Sequence, residues 1–368
     1  MTLAARTLTL AGVLAASACA SASVDVDPSE SSPLASNESR ELVAVGRRLF
    51  FDKQLSWNQR QSCGTCHIPA RAFADGLNRA VGSEGDLHLR NTPSIVNLGS
   101  YTSLTWLAPG VADLAEQARR PLLGATPIVE LGMGGHEDVL VERLRADAYY
   151  QEHLPSAFPA ATDPFTVANV VTAIAAFERT IVARDAPYDR YLRGDRAALT
   201  AEAVRGSELF FGRLGCGGCH GGVDLHEPSA TAIAQGAEGG FANNGLYDVD
   251  GQGAYPAADP GLRAITGRAE DEGRFRIPSL RNVTVTAPYM HDGSVETLDD
   301  VLTAYARGGR ELASGRLAGD GARSPRKHPA ITGFTLSEEE RREVVAFLGS
   351  LTDVSFASRP DLTDPFAP

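Results

Sequence analysis

At 368 residues with 43% hydrophobic side chains, the chain is long enough for two domains with substantial cores. A formal net charge of -12 argues against nucleic acid and anionic membrane surfaces as partners. The 37 Gly and 21 Pro predict short helices joined by long ordered loops.

Residues 1–22 read as an export signal: Arg6 supplies a weak positive start, Leu8 to Ala16 form an apolar run, and small residues follow. That run is too short to cross a bilayer as a permanent helix. Ala16-Ser17-Ala18-Cys19 lacks the usual Leu of a lipobox, yet Cys19 sits where a lipid would be attached. Lipid anchoring at Cys19 and cleavage at a site such as Ala18-Cys19-Ala20 therefore both stand. Val24 to Glu38 is rich in Ser, Asp and Glu, so 23–40 is expected to be a flexible linker. Either route leads to the periplasm or the outer surface.

From Glu41, Leu42, Val45, Leu49 and Phe50 fall at helical spacing, and Cys63-Gly64-Thr65-Cys66-His67 follows. The arrangement recurs in Ala203 to Phe211 and Cys216-Gly217-Gly218-Cys219-His220. Gly46-x-x-Leu49-Phe50-Phe51 matches Gly206-x-x-Leu209-Phe210-Phe211, which predicts an internal duplication. Cys-x-x-Cys-His is a pattern for covalent haem c attachment: two thiols one short turn apart reach both vinyl groups of a porphyrin, and the adjoining His lies beneath the iron. With 5 Cys and 8 His in the chain, a given Cys starts this pattern by chance about 3 × 10⁻⁴ of the time. A disulfide within each pair, or one zinc shared by both, competes for the same residues. Zinc pairs, however, usually recur within about 15–20 residues and rarely carry a His on both. Two haem c groups are thus expected, on Cys63, Cys66 and His67 and on Cys216, Cys219 and His220.

Between the motifs a loop-rich stretch leads to a helix over Asp113 to Arg120, with Pro121, Pro127 and Gly132 breaking the chain around Glu130. Helical patterning returns at Glu137 to Arg145 and Val167 to Val182. Arg193-Gly194-Asp195-Arg196 marks the boundary between an N-terminal haem domain, 41–195, and a C-terminal one, 196–355, with a tail over 356–368. Gly221 to Arg274 reads as long loops. Thr297 caps a helix with Leu298, Val301, Leu302 and Tyr305 on one face, ending at Gly308-Gly309. Ser337 and Glu340 form a capping-box signature for a last helix to Leu351. No sustained strand pattern occurs, so the expected fold class is mainly α: two cytochrome c-like haem domains, internally duplicated, with long ordered loops.

The two haem motifs together with Arg90-Asn91-Thr92-Pro93, Glu116-Gln117, Glu130-Leu131-Gly132 and Thr286-Ala287-Pro288-Tyr289-Met290-His291-Asp292-Gly293 resemble the bacterial dihaem cytochrome c peroxidase and MauG superfamily. The resemblance covers nearly all of the mature chain. Ser103-Leu104-Thr105-Trp106, Asn244-Gly245-Leu246-Tyr247, Gly253-Ala254-Tyr255-Pro256 and Leu317-Ala318-Gly319-Asp320-Gly321 look most like its MbnH branch.

The resemblance implies residue roles. The second axial ligand of the C-terminal haem, a Met in the peroxidases and a Tyr in MauG-like enzymes, falls on Tyr305; periodicity alone would place Tyr305 in the helix core. The only Met residues are Met1, Met133 and Met290. The N-terminal haem becomes the peroxide site, with Glu130 as the acid-base residue and Gln117 and Pro121 as its neighbours. Glu116 and Glu137 are the alternatives for Glu130, because the spacing from Gln117 is longer than in ordinary dihaem peroxidases. Trp106 takes the place of the tryptophan between the haems, and Trp57 is expected to pack near the first haem. Asn91, Thr286 and Pro288 match a calcium site of oxygen donors. His291 would sit near a haem propionate, and the loop residue His88 could close a resting haem. His136, His153, His226 and His328 read as surface or structural.

The function implied is a periplasmic dihaem oxidase that uses hydrogen peroxide to reach a high-valent two-haem state. It would then oxidise an aromatic residue on a secreted partner, a Trp converted to kynurenine on an MbnP-like copper-binding protein. Peroxide detoxification with a small redox protein as electron donor is the first alternative. A non-catalytic dihaem electron carrier is the second.

Overall fold

The computed structural model describes residues 38–126 and 128–367. The expected export signal, Cys19, most of the linker and Pro127 lie outside the described residues. The first half contains α1 (Arg40–Phe51), α2 (Cys63–Cys66), α3 (Leu114–Leu123), α4 (Glu137–Ala146), α5 (Ala148–Ala157) and α6 (Val167–Glu178). The second contains α7 (Pro187–Leu192), α8 (Ala201–Phe211), α9 (Ala230–Ala234), α10 (Arg263–Thr266), α11 (Leu298–Arg307) and α12 (Glu338–Gly349). Among the described residues the strands are two-residue pairs, β1 (Phe241–Ala242) with β2 (Phe275–Arg276) and β3 (Glu311–Leu312) with β4 (Gly319–Asp320), both antiparallel. The mainly α expectation holds.

The duplication is built from one helix crossing used twice. α1 packs on α6 and α8 packs on α12. At each crossing a glycine lets backbones touch: a Cβ on Gly46 would run into the Ala173 carbonyl, and one on Gly206 into the Glu343 carbonyl. Phenylalanines fill the space beside them, Phe50 and Phe51 with Phe177, and Phe210 and Phe211 with Phe347. After α6 and after α12 the chain is then caught by an asparagine in the left-handed region, Asn97 (φ 58°) and Asn282 (φ 57°). Asn97 donates its N–H to Ile181 and accepts from Ala183 N–H; Asn282 donates to Leu351 and accepts from Asp353 N–H. This pairing ends α6 at Glu178 rather than at the expected Val182, because Ile181 and Ala183 are bonded to Asn97 instead of continuing the helix.

Caps follow the sequence. Thr297 accepts from Asp300 N–H, and Ser337 and Glu340 exchange hydrogen bonds as a capping box. Pro121 does not break α3, which runs through it to Leu123. Leu114, Ala118 and Leu122, one helical face, are all buried against the first core, and that burial outweighs the lost N–H bond. α5 escapes sequence patterning because Tyr150, Leu154 and Ala157 are its only buried residues and Pro155 interrupts it.

The first core joins α1, α3, α4, α5 and α6; the second joins α8, α11 and α12. Phe356 and Leu362, beyond α12, return to the first core, where Phe356 meets Phe73 edge-on and Arg47 Nε donates to the Thr363 carbonyl. Polar pins join the halves: Arg90 grips Asp259 with two bonds of 2.8 Å, and Asn97 Nδ2 donates to Asp224 at 2.9 Å.

Gly46→Ala and Gly206→Ala are each expected to cost about 1–3 kcal/mol by forcing the crossing helices apart. Gly349→Ala, where a Cβ meets open space, should be nearly neutral. Chemical denaturation of the three variants measures this, and equal stabilities would show that the crossings do not depend on glycine.

Candidate functional site

The helix crossings deliver each Cys-x-x-Cys-His segment to the side of a core. Gly64 lies under Phe51 and Gly217 under Phe211, so close that a Cβ at either position would enter the ring. The turns are equivalent: His67 N–H donates to Cys63 O (2.9 Å) and His220 N–H to Cys216 O (3.0 Å). Each ring is fixed through Nδ1, His67 on the Phe73 carbonyl (2.7 Å) and His220 on the Leu225 carbonyl (3.2 Å). Both carbonyl-bearing residues are left-handed, Phe73 at φ 58° and Leu225 at φ 55°. With Nδ1 donating, Nε2 is the nitrogen left to bind a metal, and burial lowers both His pKa values, keeping the imidazoles neutral.

The four thiols are unbridged. Burial pushes Cys66 and Cys216 up to about 12 and also raises Cys63 and Cys219. Left to themselves these are protonated thiols, the form that adds across a vinyl group. Among the described residues no group of three or more His, Cys, Asp or Glu could hold a metal ion.

Cys216, Cys219, His220, Tyr305, Met290 and Trp106 line one cavity of about 320 Å³. Its walls include Phe210, Leu298, Val301 and Leu302, an apolar surface for a flat macrocycle. Arg276 provides the test of fit. It is 4% exposed, it lines this cavity, and its Nε and Nη1 have no hydrogen-bond partner. A buried cation without an anion is costly, and a porphyrin propionate is the carboxylate that would relieve it. The residues present therefore fit a haem here. Arg276 lies over Tyr101 (4.3 Å) and near Trp106 (5.7 Å), and its N–H donates to the Trp106 carbonyl.

The expected calcium donors Asn91, Thr286 and Pro288 line the same cavity, as does His291, which stacks on Phe275 at 3.5 Å. Asn91 ties them together: its N–H donates to His291 O (2.8 Å), its Nδ2 to Leu77 O (2.7 Å), and its carbonyl accepts from Trp106 Nε1 (3.1 Å). Tyr305 reaches the cavity from α11, its hydroxyl pushed up to about 12 by burial, a rise that the neighbouring Asn244 amide works against.

Glu130 belongs to the side of the first motif. Leu131 N–H donates to Pro121 O (3.0 Å) and Met133 N–H to Leu122 O (2.9 Å), zipping the Glu130 loop along the end of α3, which carries Gln117 and Pro121. Glu130 raises the Cys63 and Cys66 thiols by its charge, which puts it on the side of the first motif. Partial desolvation raises its own carboxyl, although the side chain keeps 44% of its surface open to solvent, so the rise is a modest one. His88 Nε2 lies 3.8 Å from Glu130 Oε1, while His88 Nδ1 accepts from Arg90 N–H (3.0 Å). Glu116 instead faces solvent with Arg120, and Glu137 opens α4. Trp57 is 45% exposed and stacked on His136, above Arg143, which donates to the Gln54, Ser56 and Trp57 carbonyls. His226 and His328 are buried and structural.

Sequence reasoning missed Arg276. The usable signal is a second repeat: Pro93-Ser94-Ile95-Val96-Asn97 matches Pro278-Ser279-Leu280-Arg281-Asn282, so Arg276 occupies the position of Asn91. It also missed Glu178, the last residue of α6, which is 5% exposed with Oε2 unpartnered and acts on the Cys63 thiol.

Burial pushes the Glu178 carboxyl up to about 8 from an ordinary 4.5. The folded protein therefore keeps a proton that the unfolded chain has lost, and this group's contribution, complete below about pH 4.5, is lost as pH rises to about 8. Denaturation at a series of pH values should show wild-type stability falling across that window and a flatter profile for Glu178→Gln. Identical slopes would remove Glu178 as the source.

Residues 40–197 match the Di-haem cytochrome c peroxidase family. The chain is 36% identical to the methylamine utilization protein MauG of Methylorubrum extorquens, over 87% of this chain and 80% of that one. It is 34% identical to the cytochrome c551 peroxidase of Pseudomonas aeruginosa, over 76% and 75% respectively. Among solved structures, a MauG-like protein associated with microbial copper homeostasis is 44% identical with a TM-score of 0.85, covering 91% of this chain and 96% of that one. The chain belongs to the di-haem cytochrome c peroxidase family, which includes the MauG proteins, and is a peroxide-dependent oxidoreductase with two haem c groups.

Proposed function

We propose that this enzyme takes oxidising equivalents from hydrogen peroxide at the His67 pocket and carries them past Trp106 to the His220 cavity. It spends them on an aromatic residue of an exported partner, a Trp converted to kynurenine on a small copper-binding protein. The observation that carries this reading is Tyr305: a phenol oxygen, not a thioether, stands on α11 in the cavity that holds Cys216, Cys219 and His220. A Met ligand raises a haem's potential and makes it an electron store, whereas an anionic oxygen ligand favours an oxidised iron. The description of the similar solved structure as associated with copper homeostasis supports the partner class. Export through residues 1–22, with Cys19 as the lipid attachment point where it is retained, would bring enzyme and partner together outside the cytoplasm.

The bound haems supply an iron that peroxide can reach and a reversible store of charge. The protein's part is to place protons and to route electrons. Glu130, its carboxyl raised by partial desolvation, can take a proton from one peroxide oxygen and return it to the other. Because His88 Nδ1 accepts from Arg90, His88 carries its proton on Nε2, facing Glu130. Gln117 and Pro121 border this side. Reduction of one peroxide to two waters consumes two protons and two electrons. Conversion of Trp to kynurenine releases four of each, takes its oxygen from water and loses the indole C2 as formate, so two peroxides are consumed per Trp. Trp106 is held by its bond to Asn91, and Arg276, 5.7 Å from its ring, packs beside it. Asn91, Thr286 and Pro288 would hold one Ca²⁺ with hard oxygen donors from both halves, and His291 would border a propionate.

The second reading, peroxide detoxification with a small redox protein as donor, has His88 in its favour, since a loop His beside Glu130 could close the pocket at rest. Ferric protein mixed with about one equivalent of peroxide and no reductant separates the two. A prompt Soret change, slowed about 10²–10⁴-fold in Glu130→Gln at unchanged haem content, is the expected result. Reaction only after one haem has been reduced would replace this reading by the second.

A further inference from the structure

The second cavity is lined by two side chains whose chemistry suits an iron ligand. Tyr305 offers an oxygen and Met290 a sulfur, and both line the cavity. Met133, the other described methionine, is fully buried in the first core, so Met290 is the thioether available to the second haem. Its backbone is unusual: φ is +72°, in the left-handed region that non-glycine residues seldom adopt. The bridge between Tyr289 and Val295 holds that turn in place, with Tyr289 N–H on Val295 O at 2.6 Å. Strain of this kind persists where the surroundings over-determine it.

One side chain touches both candidates. Asn244 Nδ2 donates to Met290 Sδ at 3.3 Å, and the same amide stands beside Tyr305, where it works against the rise that burial imposes on the phenol. The Tyr255 hydroxyl, which donates to Asn243 Oδ1 at 2.9 Å, stands 3.5 Å from Asn244 Oδ1 on the side away from the sulfur bond. Asn244, Met290 and Tyr305 also share a small recess beside the main cavity. A thioether sulfur engaged by an N–H is less free to donate to iron, and a phenol oxygen that accepts an N–H is better stabilised as a ligand.

We propose that Asn244 is the positioning residue that selects the second haem's axial donor, holding Met290 sulfur back and presenting Tyr305 oxygen. The proposal rests on Tyr305 ligation as read above. Without Asn244, Met290 becomes a competitor for the iron. A switch to sulfur would convert the second haem toward the electron-storing type, with a higher potential, without altering either haem attachment motif.

The test uses the holoprotein, with two haems per chain confirmed, and reads ligation by near-infrared magnetic circular dichroism and electron paramagnetic resonance. Met290→Leu should leave the wild-type ligand signature unchanged. A change there would mean that sulfur already binds, overturning Tyr305 ligation and this proposal together. Asn244→Leu should show the thioether signature in at least half of the second haems, with an upward shift of that haem's potential. Both effects should vanish in Asn244→Leu/Met290→Leu. Asn244→Ala serves in place of Asn244→Leu if that variant does not bind two haems. A wild-type signature in the Asn244 variant would overturn the role of Asn244 and leave Tyr305 ligation intact.

Discussion

A carbonyl aimed at a histidine Nδ1 is the constraint on which each half depends. Phe73 and Leu225 can point their carbonyls at His67 and His220 only by entering the left-handed region, which for such side chains costs on the order of 1–3 kcal/mol. Burial offsets that cost: Phe73 is fully enclosed and Leu225 nearly so. Small antiparallel bridges, Ile68 with Ala74 and Gly221 with Glu227, close each loop around the strained residue. The phenylalanine core thus serves an electronic purpose, because it fixes the tautomer and direction of the nitrogen that an iron would see.

Once the two frames are equivalent, their differences carry the chemistry. The first frame adds an ionisable pair, Glu130 and neutral His88, to which the proposed mechanism gives the proton transfer. The second adds a phenol, a buried guanidinium and an indole, to which it gives the holding and passing of charge. At equivalent places in the repeat stand Asn91, whose carbonyl anchors Trp106, and Arg276, whose N–H bonds the Trp106 carbonyl. Trp106 is therefore gripped by both copies of the duplicated segment at once. A tryptophan so fixed keeps one orientation relative to both pockets.

Much of this was legible from residue patterns. The Cys-x-x-Cys-His pairs, the Gly-x-x-Leu-Phe-Phe repeats and the caps at Thr297 and Ser337 depend on local spacing, which a sequence displays directly. Glu130, Trp106 and Tyr305 required the family resemblance, since periodicity alone makes Tyr305 a core residue of α11. Arg276, Asn244 and Glu178 stayed hidden because their significance is tertiary. Arg276 looks like an ordinary arginine between two apolar residues until its burial and missing partner are known. Pro121 misled for the converse reason: its local signal was sound, but packing of α3 overrode it.

The connection between the halves is polar where an apolar contact would have been simpler. Arg90 holds Asp259, and Arg184 and Asn97 hold Asp224, which Arg281 also faces from within its own half. Replacing such groups by well-packed hydrophobes often leaves stability unchanged or higher, so stability alone does not account for them. Apolar surfaces slide with little change in energy, whereas a bidentate arginine loses both bonds on a small displacement. If the two haem sites exchange electrons through Trp106, as proposed, an invariant separation matters more than a tight interface. The Arg90 pin lies next to Asn91 and so fixes the Trp106 anchor itself, binding the geometry of charge transfer to the same contacts that join the halves.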